Sequence, residues 1–283
     1  MSDPNNVVSF QGELGAYSHM ACRAKLPTMD VMPCPSFEDA LAAVREGEAR
    51  LAMIPIENST AGRVADIHIL LPGSELKIID EHFESIRHCL LAGKNTAAEN
   101  LKSVISHVQA LGQTRKYLRA HDITPVPFAD TAGSAHEVSR RGDPTLGAVA
   151  SRLAADVYDL QILEADIQDM ENNTTRFVVL SKNALTPSEV SALDGAAMTS
   201  FTFEVKNLPA ALYKALGGFA TNGVNMTKLE SYYESDSFTA TEFYAEIVGT
   251  PTDDNVARAF EELQIFSRRL TILGTYPQAQ ARA

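Results

Sequence analysis

The sequence predicts an α/β protein that is followed by a smaller α+β domain. From Val7 to about Leu180, short apolar runs alternate with amphipathic segments, as expected for strands that alternate with helices. From about Met198 to Pro277, the pattern changes to strands with a two-residue alternation and two amphipathic helices. The length agrees with this division, because 283 residues correspond to roughly two domains at about 150 residues each.

The composition excludes several classes of protein. Hydrophobic residues make up 45% and charged residues 21% of the chain, which is ordinary globular usage. The net charge of -12 opposes generic binding to nucleic acid or to anionic membranes. No apolar run approaches the roughly 18 to 20 residues that span a bilayer, and the three cysteines show neither disulfide nor metal-ligand spacing. We expect a soluble cytoplasmic protein with reduced thiols and no metal.

In the first part, apolar runs bounded by turn residues predict the strands, and periodic segments between them predict the helices. The strands are expected at Val7–Phe10, Leu51–Ile56, His88–Leu91, Ser103–Ser106, Thr124–Phe128, Gly147–Ala150 and Arg176–Leu180. The helices are expected from Gly15 to about Leu26, behind Ser36, and around Gln113–His121, Ser134–Arg141 and Arg152–Tyr158. Ser36 with Asp39 resembles a capping box, which supports the second helix.

The second part begins after a segment with the composition of a linker. Asn183–Ala197 is rich in proline, serine, glycine and other small residues. Beyond it, Phe201, Phe203 and Val205 alternate with polar residues and predict a strand. The elements that follow complete the order βαββαβ, which is the ferredoxin-like plan.

Polar clusters follow several predicted strands, where open α/β sheets place their ligands. They are Glu57-Asn58-Ser59, Ser106-His107 with Gln109 and Gln113, Asp130 to Ser134, and Asn172 to Phe177. None has the pattern of a nucleophile elbow, a zinc site or a Walker loop. Hydroxyls, amides and one arginine suit binding of a small polyanion better than covalent or redox chemistry. Each cluster taken alone is also explained as a turn or a helix cap.

Five phrases that occur in one order resemble the prephenate dehydratase family. They are Gly12-Glu13-Leu14-Gly15-Ala16-Tyr17-Ser18, Pro55-Ile56-Glu57-Asn58-Ser59, Ser106-His107-Val108-Gln109-Ala110-Leu111, Asp130-Thr131-Ala132-Gly133-Ser134-Ala135 and Asn173-Thr174-Thr175-Arg176-Phe177. The unit from about Met198 to Pro277 resembles the ACT regulatory domain of that family. Val108 and Arg63 depart from the usual proline and serine. The glycine phrase begins at Gly12 and leaves no room for the chorismate mutase domain of bifunctional relatives, so a monofunctional enzyme is expected.

The resemblance implies a catalytic domain over residues 5–183, built of two α/β lobes like those of a periplasmic binding protein. Lobe 1 would comprise about 7–79 plus 172–182, lobe 2 about 80–171, and the linker 184–197 would lead to an ACT domain at 198–277. Prephenate is the expected substrate, held in the cleft between the lobes. Loss of carbon dioxide and water aromatises the ring, so no cofactor is expected. A homodimer or homotetramer through the ACT domains is expected.

The resemblance also implies roles for individual residues. The catalytic set is expected to be Thr175, Asn58, Ser106 and Gln113, and the substrate-binding set Glu57, Ser59, Thr131, Ser134, Arg176 and Phe177. A hydroxyl is a very weak acid, so we expect Thr175 to donate a hydrogen bond that strengthens as charge grows on the departing oxygen. Two roles stay open for Arg176, which either clamps a carboxylate of the substrate or pairs with a neighbouring acid and sets the loop. Phe177 is expected to pack beneath that loop.

L-Phenylalanine is the expected allosteric inhibitor, bound by the ACT domains. The effector-binding set is Leu208, Ala210, Ala211, Leu212, Glu230 and Ser231. Ala210 stands where the family usually has glycine, and Tyr232-Tyr233 where it has Arg-Pro, so altered affinity is expected. An ACT unit that serves only dimerisation is the alternative.

The sequence leaves open two alternatives to a prephenate dehydratase function. Arogenate dehydratase eliminates the same groups from the aminated substrate. A noncatalytic two-lobed amino-acid sensor would keep the cleft and the ACT unit without the chemistry, although the presence of Asn58, Gln113 and Thr175 argues against it.

Overall fold

The structure is a computed structural model that describes residues 3–193, 195–233 and 240–279, without the side chains of residues 233, 240 and 241. The chain forms two compact units. The first combines the chain up to Val64 with His82–Phe177, and the second combines Ala65–Glu81 with the chain from Val178 onward. The predicted bounds of the lobes and domains differ from the bounds of these two units, and they stay predictions.

The strands are numbered along the chain. They are β1 (Val7–Gln11), β2 (Asp30–Cys34), β3 (Leu51–Asn58), β4 (Gly62–Arg63), β5 (Lys77–Ser85), β6 (Cys89–Ala92), β7 (Ser103–Ser106), β8 (Thr124–Pro127), β9 (Leu146–Ala150), β10 (Gln161–Glu164), β11 (Thr174–Ser181), β12 (Ala197–Val205), β13 (Met226–Tyr233), β14 (Ala240–Val248) and β15 (Ser267–Pro277).

The α-helices are numbered in the same way. They are α1 (Tyr17–Lys25), α2 (Phe37–Glu46), α3 (Ala65–Gly73), α4 (Val108–Gln113), α5 (Arg115–Ala120), α6 (Thr131–Arg141), α7 (Arg152–Val157), α8 (Pro187–Ser191), α9 (Ala211–Thr221) and α10 (Asp254–Phe266). Single 3-10 turns occupy Pro4–Asn6 and Ala98–Asn100.

Two mixed sheets carry the α/β part of the fold. The first has the strand order β2-β1-β3-β11-β5, with β4 paired to β3, and β1 runs parallel to both β2 and β3. The second has the order β10-β6-β9-β7-β8, in which β7 runs parallel to β8 and β9. In the second sheet, the strands β6 and β9 are buried along their whole length, which explains their continuous apolar runs in the sequence. The predicted α/β class is confirmed.

The glycine phrase forms the turn between β1 and α1. Gly12 and Gly15 both have positive φ angles, +117° and +89°. A β-carbon on Gly15 would lie 2.8 Å from the backbone of Ala154 in α7, so only glycine allows this approach. The Ser151 hydroxyl reinforces the contact by donating to the carbonyl of Gly15. The turn therefore needs glycine for close packing as well as for its backbone angles.

The C-terminal sheet has the order β13-β14-β12-β15 and the connectivity βαββαβ, as the sequence pattern predicted. Phe201 and Phe203 pack with Phe219, Phe243 and Phe260 in a buried cluster beneath α9 and α10. This is the apolar face that the two-residue alternation predicted.

The opposite face of the same sheet is buried too, although its residues are polar. The Ser200 hydroxyl lies 2.7 Å from the Tyr276 hydroxyl, and Tyr244 donates to both Ser200 and the buried carboxylate of Glu246. His68 of α3 stacks edge-on against Tyr244. Alternating apolar and polar residues usually predict a sheet whose polar face is exposed to solvent. Here a second layer of the same unit covers that polar face.

Several elements were not predicted from the sequence: β2, β4, β5, β10, α3, α4 and α8. The short helix α8 lies within the predicted linker and begins with a complete capping box between Thr186 and Glu189. Cys22, Cys34 and Cys89 are buried free thiols. In the described part of the chain, no helix is both long enough and apolar enough to span a bilayer.

Candidate active site

The loop after β3 is held in shape by the side chain of Asn58. Its Oδ1 atom accepts hydrogen bonds from the backbone N–H groups of Thr60 and Ala61, each at 2.9 Å. Ser59 then ties this loop to the chain before β11, because its backbone N–H donates to the carbonyl of Thr174 and its hydroxyl accepts from the N–H of Thr174. Two segments that are distant in sequence therefore form one polar surface at the ends of adjacent strands.

Asn58 also contacts Thr175 directly. The Nδ2 atom of Asn58 donates to Thr175 Oγ1 at 2.9 Å and to Asn173 Oδ1 at 2.8 Å. Among the described residues, the bond from Asn58 is the only side-chain hydrogen bond of Thr175, so the threonine proton is available to another acceptor. Thr175 is half-buried. The arrangement presents a hydrogen-bond donor whose oxygen is already fixed in place.

Gln113, the last residue of α4, joins this cluster. Its Nε2 atom donates to Thr60 Oγ1 at 3.0 Å, and its Oε1 atom accepts from Asn173 Nδ2 at 3.0 Å. The Thr60 hydroxyl in turn donates to Asn58 Oδ1. Asn58, Gln113 and Thr175, three of the four predicted catalytic residues, are thus connected through Thr60 and Asn173. We call these five residues the amide cluster.

His88 and Tyr17 continue the same set of hydrogen bonds. The Nε2 atom of His88 lies 2.8 Å from Gln113 Oε1, and its Nδ1 atom lies 2.7 Å from the Tyr17 hydroxyl. His88 is buried, and this burial lowers the pKa of its imidazole, which stays neutral near pH 7. Burial likewise raises the pKa of Tyr17 well above its usual value, so its hydroxyl keeps its proton.

Arg176 is buried and forms an ion pair with Glu57. Its Nη1 atom lies 3.0 Å from Glu57 Oε1, and only 2% of the arginine side chain is exposed. Of the two roles left open by the sequence, this geometry matches pairing with an acid beside the loop. Phe177 is also buried. Both side chains therefore lie beneath the polar surface formed by their neighbours.

The predicted site residues that lie outside the amide cluster include Ser106, Ser134 and Thr131. The Ser106 hydroxyl is fully buried and donates to the carbonyl of Val149. The Ser134 hydroxyl is buried and donates to the carbonyls of Asp130 and Thr131 inside the first turn of α6. Asp130 caps that helix through the N–H of Gly133, as the cap interpretation predicted. Thr131 is half-buried at the first position of the helix.

The predicted effector residues lie in the second unit. Leu208 is 60% exposed before α9, and Ala210 has a left-handed backbone with a φ of +60°. Ala211 and Leu212 form the first turn of α9, and Ala211 is buried. Glu230 and Ser231 lie on β13, which is an edge strand among the described residues, and Lys228 lies 3.7 Å from Glu230. The prediction about Tyr233 concerns a side chain outside the described residues.

A scan against protein-family models matches residues 8–185 to the model described as prephenate dehydratase. The match covers more than half of the chain and includes every residue of the amide cluster. The chain belongs to the prephenate dehydratase family. The resemblance of the five sequence phrases is thereby confirmed at the level of the family.

Three similar proteins show the range of activities among relatives. A bifunctional N-acyl-homoserine lactone acylase/prephenate dehydratase of Komagataeibacter europaeus is 44% identical, over 98% of this chain and 97% of its own length. A chloroplastic arogenate dehydratase/prephenate dehydratase of Arabidopsis thaliana is 35% identical, over 97% and 73%. The crystal structure of prephenate dehydratase from Arthrobacter aurescens in complex with L-Phe is 30% identical, with a TM-score of 0.86 over 96% and 90%.

Sequence reasoning missed four members of this hydrogen-bonded set as site residues. Thr60, Asn173 and Tyr17 stood in or beside the motifs, whereas His88 was interpreted only as the start of a strand. Tyr17 lies in the glycine phrase of the family, and Asn173 opens the phrase that contains Thr175, so their positions in those motifs were the available signal. No local pattern marks His88, because its partners Tyr17 and Gln113 lie 71 and 25 residues away along the chain.

Proposed function

We propose that this chain is a prephenate dehydratase that converts prephenate to phenylpyruvate. The observation that carries the proposal is the hydrogen bond from Asn58 Nδ2 to Thr175 Oγ1. Because the threonine oxygen accepts this bond, its own hydrogen can be donated to another group. A departing hydroxide needs such a donor to stabilise its negative charge. Membership of the family supports the same reaction.

In the proposed reaction, the bond between the ring and its carboxylate breaks and carbon dioxide leaves. The electron pair of that bond moves into the ring, and the bond from the ring to the hydroxyl group breaks at the opposite position. The departing oxygen takes its bonding pair and one proton and leaves as water. Aromatisation supplies the driving force, so the protein must hold the dianion and stabilise the charge on the departing oxygen.

Thr175 is proposed to stabilise that oxygen by donating a hydrogen bond that strengthens in the transition state. Its hydroxyl is too weak an acid to be ionised near neutral pH, so a proton that it passes to the departing oxygen is replaced from water. Asn58 holds the threonine oxygen in place, and Gln113 holds the Asn58 loop through Thr60. Arg176 is proposed to support the loop through Glu57 rather than to clamp the substrate.

A second candidate activity is hydrolysis of N-acyl-homoserine lactones. The relative that carries this name is 44% identical over nearly all of both chains, which favours it as a candidate. Arogenate is a third candidate substrate, because the Arabidopsis relative bears both dehydratase names. Amide hydrolysis needs an activated nucleophile, whereas dehydration needs only oriented donors, so the amide cluster favours dehydration.

Feedback inhibition by L-phenylalanine is proposed to act through residues 198–277 as an ACT domain. The βαββαβ connectivity and the L-Phe complex of the Arthrobacter relative support this proposal. Homo-oligomerisation through these domains and a cytoplasmic location remain predictions.

The experiment that tests the proposed function compares three substrates on the purified chain near neutral pH. Prephenate, arogenate and an N-acyl-homoserine lactone are incubated separately, and phenylpyruvate, phenylalanine and released homoserine lactone are quantified against enzyme-free controls. We expect phenylpyruvate from prephenate at the highest kcat/KM, and a lower rate when L-phenylalanine is added. A folded protein that releases only homoserine lactone, or only phenylalanine from arogenate, would overturn the proposal.

A further inference from the structure

His88 is a buried imidazole that the proposed reaction does not use directly. It lies just before β6, it is 2% exposed, and its backbone N–H donates to Gln168 Oε1 at 2.9 Å. Both ring nitrogens have partners, Gln113 Oε1 and the Tyr17 hydroxyl. A buried polar side chain with every atom engaged is held in one orientation. What His88 does for the amide cluster follows from the direction of each hydrogen bond.

The directions are fixed first at Asn58. Backbone N–H groups are donors only, and those of Thr60 and Ala61 both point at one atom of the Asn58 amide. That atom must be the oxygen, so the nitrogen faces Asn173 and Thr175. Asn173 must then present its own oxygen to Asn58, which turns its nitrogen towards Gln113.

The same reasoning extends to the imidazole. Because Asn173 Nδ2 donates to Gln113, the Gln113 atom that faces both Asn173 and His88 is the oxygen. An amide oxygen accepts only, so His88 Nε2 carries a hydrogen. A neutral ring then has no hydrogen on Nδ1, so this nitrogen accepts from the Tyr17 hydroxyl. The single hydrogen of that hydroxyl is shared with the carbonyl of Arg87, which lies 2.8 Å away. The directions of these bonds are therefore determined from Asn58 to the Nε2 atom of His88.

We propose that His88, held by Tyr17, is a positioning residue that fixes the amide of Gln113 and thereby keeps the Thr175 proton free for the reaction. The proposal rests on the proposed dehydratase function. A donor at His88 Nε2 favours one of the two orientations of the Gln113 amide, which differ by a half-turn. In the other orientation, the amino group of Gln113 would face the amino group of Asn173. Two hydrogen-bond donors would then point at each other, and neither would have an acceptor there.

The first test replaces His88 and Tyr17 in the full-length protein. We expect His88→Leu to lower kcat for prephenate by about 10- to 100-fold, with KM changed less than about threefold, because misplaced groups impair the reaction more than the binding. His88→Gln, which keeps a donor near the position of Nε2, is expected to recover part of the loss. Tyr17→Phe is expected to lose less than His88→Leu. His136→Leu is the control, because His136 is exposed and stacks on Tyr158.

A double-mutant cycle separates positioning from a general structural role. If His88 acts through Thr175, adding His88→Leu to Thr175→Ala should lower kcat by less than about twofold further. If the fold-losses in kcat of the two single variants multiplied in the double variant, the two residues would act independently and the proposal would be overturned. So would a folded His88→Leu protein with wild-type kcat.

A spectroscopic measurement on the wild-type protein covers the case in which the variants fail to fold. The nitrogen chemical shifts of the His88 ring in labelled protein are expected to show the neutral Nε2–H tautomer at pH 7. An Nδ1–H tautomer or an imidazolium would contradict the bond directions and overturn the proposal. If the wild-type protein did not convert prephenate, the proposed dehydratase function would be refuted. If the wild type were active and the His88 variants were equally active, only the role of His88 would be refuted.

Discussion

The loop at Asn58 and the turn at Ala210 are shaped in opposite ways. Side-chain hydrogen bonds define the loop, since the two ends of one amide satisfy two backbone donors and two side-chain acceptors. Backbone geometry defines the turn, where Ala210 has a φ of +60° and no side chain caps the helix that follows. The first region matches its family motif, and the second departs from it. Side-chain contacts therefore fix the loop, whereas the backbone alone fixes the turn.

Among the changes that compare the loop with the turn, the largest expected effect comes from reversing one hydrogen bond in the loop. Asn58→Asp keeps the oxygen that accepts from Thr60 and Ala61 but replaces the Nδ2 donor with an acceptor. The Thr175 hydroxyl would then donate to the new carboxylate, and we expect kcat to fall by about 100-fold. Steady-state kinetics with prephenate, with circular dichroism as the check of folding, measure the effect.

Asn100→Asp is the matched control for that change, because it makes the same substitution at an exposed residue outside the amide cluster. It should retain most of the wild-type kcat. If Asn58→Asp raised only KM, repulsion of the substrate's carboxylates would explain the result, and the importance of the bond direction would be refuted.

The next effect concerns the support beneath the loop. Arg176→Leu removes the buried partner of Glu57, and we expect it to lower the free energy of unfolding by about 2 to 3 kcal/mol. Arg140→Leu is the matched control, because Arg140 forms an exposed pair with Glu137 on α6. Urea denaturation followed by circular dichroism compares the two. Equal midpoints for both variants would show that the buried pair does not support the loop.

The smallest effect tests the turn. Ala210→Gly removes a left-handed strain of about 1 to 2 kcal/mol but adds freedom to the unfolded chain, so a net stabilisation of about 0.5 kcal/mol is expected. Ala257→Gly, inside α10, should instead destabilise by about 1 kcal/mol. Thermal melts of both variants measure these shifts. A lower melting temperature for Ala210→Gly would contradict the interpretation of the turn as strained.

The sequence predicted the elements with strong local signals. β7 has the predicted bounds, Ser103–Ser106, because an apolar run ends there at a polar cluster. β2 was missed, since it contains Pro33 and is mostly half-exposed, so it carries no continuous apolar run. The predicted helix at Gln113–His121 corresponds to α5, whereas Gln113 itself ends α4, which was not predicted. Local periodicity does not reveal the break between these two helices.

The site was predictable where motifs carry it and not where tertiary contacts build it. Asn58 and Thr175 stand in motifs and Gln113 lies two residues after one, and the structure connects all three. Ser106 stands in a motif as well, yet its hydroxyl bonds to a backbone carbonyl that the sequence cannot place. His88 meets partners on two other elements, and such a meeting depends on the packing of both sheets.

The most direct test of the central claim measures the Thr175 hydroxyl itself. Phenylpyruvate formation is followed in a single turnover, with the protein in excess over prephenate, for the wild-type protein, Thr175→Ala and Thr175→Ser. Substrate binding is measured by calorimetry. We expect Thr175→Ala to slow the reaction by about 100- to 1,000-fold and to leave the affinity for prephenate nearly unchanged. Thr175→Ser, which keeps the hydroxyl, should recover at least a tenth of the wild-type rate. A folded Thr175→Ala protein that reacts as fast as the wild type would contradict the account.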